Sequence, residues 1–251
     1  MPIARQPVSR LWPSGGAHLW PSGGISALHS HPRGHLVYAA RGVLSVQSES
    51  GTSIVPANRV GWTPAGSGHR HRAHGSTDMR IVFLPAALSR LLGDRPAVFR
   101  VSGLAREALL ALTGTPERER AVAARLRRVL VDELRVADEQ PLRLPEPRDD
   151  RLRAVARLLY DDPADTSTLA ALGRAAGASS RTMSRLCHDE LGMTFYEWRT
   201  QLRIFHALVL LAEGHDTVRV AAACGWANPS GFITAFTRLV GTTPGRYRAR
   251  G

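Results

Sequence analysis

Lysine is missing altogether: all 33 basic residues in the 251-residue chain are arginine. Cysteine is nearly missing. Cys187 and Cys224 are too few and too far apart for a disulfide framework, which points to a reducing, cytoplasmic setting. Aromatic residues make up only 6% of the chain, and no apolar run approaches the ~18–20 residues of a membrane span. The opening "MPIARQPVSRLWPSGG" has no apolar h-region, so it reads as carrying no secretory signal. These absences exclude a disulfide scaffold and a membrane-spanning helix. What remains is 43% hydrophobic, enough for a core, with a length that suits one large domain or two ordinary ones.

Net charge is +12, the footprint of a polyanion binder. The charge does not say where a polyanion binds. Residues 1–147 hold 19 arginines against 11 acids, and residues 148–251 hold 14 against 10.

Composition divides the chain. Residues 1–24 repeat "LWPSGG" at 11–16 and 19–24, turn chemistry that reads as a flexible arm. Residues 25–85 read as short strands, "HLVYAA", "VLSVQS" and "RIVFL" among them, separated by turn-rich segments, as in a small barrel or sandwich. Residues 86–139 read as a helical connector. In its last segment Val122, Leu126, Val129, Leu130, Leu134 and Ala137 recur at three- and four-residue steps, and Pro116 opens the helix. That apolar stripe either packs on the first domain or forms the contact between two subunits of a homodimer. The proline-rich 140–149 reads as a linker, and 150–251 as all-helical.

Within 168–192, a short helix is followed by a turn at Gly177 and a second helix capped by Ser179 or Ser180. Gly173 lies four residues before the turn glycine, where a small residue lets two helices cross. Met183, Leu186 and Cys187 form the inward face of the second helix, and Ser180, Arg181, Ser184 and Arg185 project outward. This is helix-turn-helix grammar. It recurs over 217–241, with Ala221 four residues before Gly225, Phe232 and Phe236 inward, and Asn228, Ser230 and Thr234 outward. Between the two lies an uninterrupted helix over 194–214. Nineteen helical residues within it, at 1.5 Å each, span about 28 Å, near the ~34 Å repeat of B-DNA.

These residues carry a resemblance. The two "AxxxG"-type turns, "SRTMSRL", "WRTQLRIFHALVLL" and above all "GFITAFTRLVGTTPGRYR" at 231–248 resemble the DNA-binding domain of the AraC/XylS family of transcription regulators. Gly173, Cys187 and Trp226 depart from the usual residues at their positions. The resemblance implies double-stranded DNA as partner, RNA polymerase as a possible one, and base or phosphate contacts by Ser180, Arg181, Ser184, Arg185, Asn228, Ser230 and Thr234. Arginine suits guanine, whose O6 and N7 match its fork.

A regulator needs an input. "HSHPRGHLVYAARG", residues 29–42, places His29, His31 and His35 within seven positions, and "PAGSGH" supplies His69. On a strand, His29 and His31 would share a face. The spacing resembles the two motifs of the cupin barrel, with His35 in a glutamate position and Ala73 in an asparagine position. The resemblance implies that His29, His31, His35 and His69 hold a divalent transition metal. Neutral nitrogen donors suit Zn, Ni, Cu or Fe. His71 and His74 lie close enough to substitute. Three alternatives stay open: a metal site, a cavity for a small organic effector, and a purely structural barrel.

The expected fold class is therefore α+β: an N-terminal cupin-like β-barrel, a helical connector and a C-terminal all-α tandem helix-turn-helix domain. The competing reading is a metal-dependent, dioxygenase-like cupin enzyme fused to a DNA-binding module. It draws little support, since residues 25–85 offer only Glu49 and Asp78 as carboxylates, both expected in loops.

Overall fold

The computed structural model describes residues 15–49, 51–57, 59–140 and 142–248. Its contacts divide the chain into an N-terminal unit, which runs to residue 143, and a C-terminal unit, with which residues 51–52 are also grouped. The fold class is α+β, a β-sheet unit followed by a helical one.

The N-terminal sheet is antiparallel. Its strands are β1 (Gly16–Trp20), β2 (His35–Ser48), β3 (Gly51–Pro56), β4 (Arg59–Thr63), β5 (His69–Phe83) and β6 (Ala97–Arg100). They run in the order β1–β5–β2–β3, with β4 pairing β2 on one side and β6 on the other. Among the described residues no pairing joins the outer strands, so the expected barrel is an open sheet. Its spine is the β2–β5 ladder, from His35 opposite Phe83 to Ser48 opposite His69, broken by a bulge near Arg41. The runs "HLVYAA" and "VLSVQS" are thus one strand bent at that bulge. Bulges let a long strand bend without losing its partner.

Three expectations change here. β1 lies inside the supposed flexible arm, and Trp20 is buried; the first "LWPSGG" copy falls largely outside the described residues. β6 lies inside the supposed helical connector. Part of the supposed linker is pinned to the sheet: the Gln140 amide donates to the Val98 carbonyl, and the Ile54 amide donates to the Leu142 carbonyl.

The connector's helices are α1 (Ala86–Ser89), α2 (Gly103–Thr113) and α3 (Arg120–Arg135). The last begins at Arg120, four residues after Pro116, where its sequence pattern opens the helix. Its apolar stripe is used inside the protomer. Leu130, Val131 and Leu134 join one cluster with Ala105, Leu109, Leu36, Trp62 and Val82, and Leu126 packs on its edge. A dimer interface built on Leu126 and Leu130 is therefore excluded, because Leu130 has no exposed surface. The hydrophobic gain of an amphipathic stripe goes to whichever apolar face is nearest, and here the sheet supplies it.

The C-terminal unit contains α4 (Asp150–Asp161), α5 (Leu169–Ala175), α6 (Ser180–Leu186), α7 (Phe195–Ala212), α8 (Thr217–Ala223), α9 (Pro229–Val240) and α10 (Pro244–Arg248). A wide π turn over Cys187–Leu191 extends α6. α7 packs against α4, α8, α9 and α10, and Trp198, Ile204 and Leu208 are fully buried on it. Thr194 and Glu197 form a capping box at its start, which satisfies two amides that helix geometry leaves open. Among the described residues, no helix is long and apolar enough to cross a membrane.

Candidate functional site

Two arrangements carry chemistry. The first is the pair of helix-turn-helix units α5–α6 and α8–α9. In each, the first helix ends at a glycine with positive φ, 71° at Gly177 and 73° at Gly225. The next helix starts at Ser180 in the first unit and at Pro229 in the second, so the second turn is one residue longer. Gly173 has a steric reason to replace alanine: a Cβ there would lie 2.9 Å from the Ala178 carbonyl oxygen and 3.0 Å from Met183 Cγ. The two helices cross where that side chain would stand.

Met183, Cys187, Phe232 and Phe236 are fully buried; Leu186 is half-buried. Burial pushes the Cys187 thiol up to about 11 and the Cys224 thiol up to about 12, so both behave as packing residues. Ser180, Arg181, Ser184, Arg185, Asn228, Ser230 and Thr234 are all exposed. Two of them have local employment. Asn228 caps α9, its Oδ1 accepting from the Gly231 amide at 2.9 Å, and the Thr234 hydroxyl donates to the Ser230 carbonyl at 3.0 Å. The N-cap of α6 is Ser179.

Exposed Arg238 lies one turn beyond Thr234 on α9 and extends that face; its i+4 spacing was the sequence signal for it. Other arginines are structural. Arg199 donates to the Ser167 carbonyl at 2.6 Å, and its guanidinium lies 4.5 Å from the Phe195 ring centre. Arg203 donates to the Pro163 and Asp165 carbonyls at 2.9 and 2.7 Å. The long helix is thereby tied to the loop before α5, and burial lowers the pKa of both arginines.

The second arrangement is a knot of imidazoles in the N-terminal unit. The segment before β2 is extended without forming a regular strand, and it is zipped to β5 by single bridges. His29 and His69 exchange amide–carbonyl hydrogen bonds of 2.9 and 2.8 Å. The Gly66 amide donates to the His31 carbonyl at 2.8 Å, and the His71 amide donates to Ser26 Oγ at 2.9 Å. Gly34 holds the turn into β2 under Trp62, since a Cβ there would meet that indole at 2.2 Å. His35 begins β2 beside Phe83, its partner on β5.

The four histidines singled out by the motifs come together. Ring centres lie 4.4 Å apart for His29 and His69, 5.4 Å for His31 and His69, 4.8 Å for His35 and His69, and 5.1 Å for His31 and His35. His71 is a fifth member, 5.0 Å from His69 and 5.9 Å from His35, and fully buried. The signal for it was the alternation on β5, which sends His69, His71 and Ala73 inward. His74 is turned elsewhere, its Nε2 3.0 Å from Ser45 Oγ.

Each nitrogen's partner decides what the knot can do. The rings of His29 and His69 place Nδ1 2.8 Å from the carbonyls of Ala27 and Ser67, which fixes Nε2 as the lone-pair nitrogen. His69 Nε2 and both ring nitrogens of His35 and His71 are buried without a hydrogen-bond partner. Each such group costs about 1–3 kcal/mol if left unsatisfied. Burial, and then repulsion among the rings, hold His35 and His71 well below the usual imidazole range; His69 is lowered to about 4, mostly by burial. His35, His69 and His71 are therefore neutral nitrogen donors at neutral pH, the donor type that late divalent transition metals accept. The donor atoms of His29, His31 and His69 lie within 4.8 Å of one another, as do those of His35, His69 and His71.

Neither acid considered for an enzyme belongs to either group. Asp78 lies in β5 rather than a loop and pairs with Arg80 at 2.6 Å.

A family described as a helix-turn-helix domain matches residues 172–250. The HTH-type transcriptional regulator NimR of Escherichia coli K12 is 31% identical over 239 residues, spanning 93% of this chain and 86% of that protein. The chain belongs to the AraC/XylS family of HTH-type transcriptional regulators. Similarity to NimR extends through both units. The HTH-type transcriptional regulator RipA of Corynebacterium glutamicum is 38% identical over 104 residues, 41% of this chain and 31% of that protein. Among solved structures, Vibrio cholerae ToxT with a bound unsaturated fatty acid overlays with a TM-score of 0.40 at 12% identity, covering 93% of this chain and 94% of that one. In this family member, the departures at Gly173 and Cys187 are packing choices at the crossing and in the core, as the distances and burial above describe.

Proposed function

We propose that this regulator binds a specific DNA sequence through α6 and α9, and that a divalent transition metal held by the histidine knot governs that binding. The observation that carries the metal reading is the set of buried ring nitrogens without partners on His35, His69 and His71. A metal such as Zn, Ni, Cu or Fe would be held by neutral imidazoles, with His69 already oriented through Nδ1. The chain's own part is positioning: β5 carries His69 and His71 at one end, and at the other it enters the core that α2 and α3 share.

On the DNA side, Arg181 and Arg185 are the candidates for base or phosphate contact, with Ser180, Ser184, Asn228, Ser230 and Thr234 beside them and Arg238 for a phosphate. The α7 rod of 18 residues spans about 27 Å, which suits two successive major-groove segments. A homodimer belongs to this reading, with its contact away from Leu130, as does a cytoplasmic setting with RNA polymerase as a further partner.

The test uses untagged protein. Elemental analysis is expected to show a bound transition metal, and footprinting two protected grooves per protomer. Stripping the metal with a strong chelator is expected to change operator affinity at least tenfold. Unchanged affinity on stripping overturns the metal reading and leaves the DNA-binding one.

A small organic effector has its own supporting observation. A cavity of about 390 Å³ opens between the β1 edge of the sheet and α3, bounded by Gly16, Arg33, Phe83, Leu112, Arg118 and Arg127. Its arginines suit a ligand bearing negative charge. The space beneath His69, bounded by Val46, Trp62 and Thr63, is only about 10 Å³, room for one water at most.

A further inference from the structure

We propose that the five imidazoles form two overlapping three-histidine metal sites that share His69: a buried resident site of His35, His69 and His71, and an outer site of His29, His31 and His69 through which the ion arrives. This rests on the metal reading above and assigns His71 a role that the cupin-like spacing does not.

The argument begins with burial. His35, His69 and His71 are each 1% exposed or less, while His29 and His31 are half-buried. The knot therefore has a mouth and a floor. Within each group the donor atoms lie within 4.8 Å of one another. Nitrogens on a tetrahedral ion, at bonds of 2.0–2.1 Å, stand about 3.4 Å apart, so small ring rotations close either triad. His69 offers one free nitrogen, its Nδ1 being committed to the Ser67 carbonyl, so it serves one ion at a time and the two triads are not filled together.

The floor is the more demanding position. Among the described residues, His35 and His71 have no hydrogen-bond partner at either ring nitrogen, whereas His29 spends one nitrogen on the Ala27 carbonyl. The group with more unanswered donors, farther from water, gains more from an ion. Bonds to it compete less with solvent, so release from it is slower. The mouth, with two rings reachable from solvent, is where a hydrated ion first exchanges water for imidazole. His69 then serves as the pivot, remaining bound while His29 and His31 give way to His35 and His71. Neither triad contains a carboxylate or a thiolate, so both favour the same late transition metals and no change of metal preference bars the transfer.

The experiment titrates full-length, untagged protein with Co²⁺, read by its d–d absorption, and with Zn²⁺ in competition. Wild type is expected to bind one ion per chain. His71→Ala is expected to weaken affinity at least a hundredfold and to speed chelator-driven release. His29→Ala is expected to change affinity less than tenfold while slowing stopped-flow loading at least tenfold. His71→Leu fills the space without a donor; it is expected to keep the wild-type fold by circular dichroism and to lose the metal as His71→Ala does. X-ray absorption on wild type is expected to show three imidazoles.

Wild-type affinity and spectrum in folded His71→Leu would overturn the proposal and place the ion at the mouth. So would a larger affinity loss in His29→Ala than in His71→Ala, or two ions bound per chain. A wild type that binds no Co²⁺ or Zn²⁺ overturns the metal reading itself, an outcome distinct from indifference to His71.

Discussion

The two units treat their polar residues in opposite ways. The C-terminal unit buries apolar side chains on α7 and α9 and sets its candidate DNA-contacting groups outside, on α6 and α9. The N-terminal unit buries its candidate functional groups, with His35, His69 and His71 in its interior. A surface reader must present charge to a large, hydrated polyanion, whose phosphates contribute much of the affinity. A site for a small ion works by withholding water from its donors. Substitutions should therefore separate affinity from stability in one unit and couple them in the other.

The largest expected effect is in the core that joins α3 to the sheet. Leu130→Glu places a carboxylate where the side chain has no exposure. It is expected to destabilise the N-terminal unit by about 3–5 kcal/mol, read by chemical denaturation. A variant as stable as wild type would show that Leu130 does not carry this core.

Next is pH. In metal-stripped protein His69 is neutral when folded, lowered to about 4, against an ordinary 6.5 when unfolded. The unfolded state takes up the proton first, so stability is complete above pH ~6.5 and falls as pH drops towards 4. His69 alone contributes a loss of about 3 kcal/mol at pH 4, and His35 and His71 act in the same direction. Denaturation midpoints flat from pH 7 to 4 would break the contrast between the units. Because these imidazoles are already neutral near pH 6, metal occupancy is expected to persist below that pH.

Arg185→Ala comes third. It is expected to cost roughly 1–3 kcal/mol of operator binding if it makes a bidentate contact to guanine, with no change in melting, since Arg185 is exposed. Binding assays at matched salt with parallel thermal melts check both halves. The smallest effect belongs to the residue that blurs the division. Asn228→Ala removes the cap of α9 and is expected to lose about 1 kcal/mol of stability. Asn228→Ser keeps a cap, so affinity lost in that variant at unchanged stability would assign the amide a DNA contact.

The C-terminal unit was legible because its logic is local. A turn glycine, a small residue four positions before it and an apolar period of three to four are all read within a 25-residue window, and they position Arg181, Arg185 and Thr234 outward without knowledge of the rest of the fold. Local patterning missed the employment of Asn228 as a cap and the wide turn at Cys187–Leu191. In the N-terminal unit, the resemblance of the histidine spacing to the cupin motifs brought His29, His31, His35 and His69 forward as a set.

Other features depended on contacts between segments far apart in the chain. An apolar stripe on α3 specifies that something must cover it, and only tertiary packing decided that the cover is Trp62 and Val82 of the sheet and Leu109 of α2. Short β-rich runs specify strands, and only the ladder made two of them the single bent β2 and left the sheet open. His71 stood in plain view two residues after His69. Its place as a fifth donor waited on the pairing of His29 with His69, which folds the mouth of the knot over its floor. Periodicity along a helix is fixed by bonds within a few residues; which face of a strand meets which segment is fixed by hydrogen bonds that close loops of forty residues or more, as between Ser26 and His71.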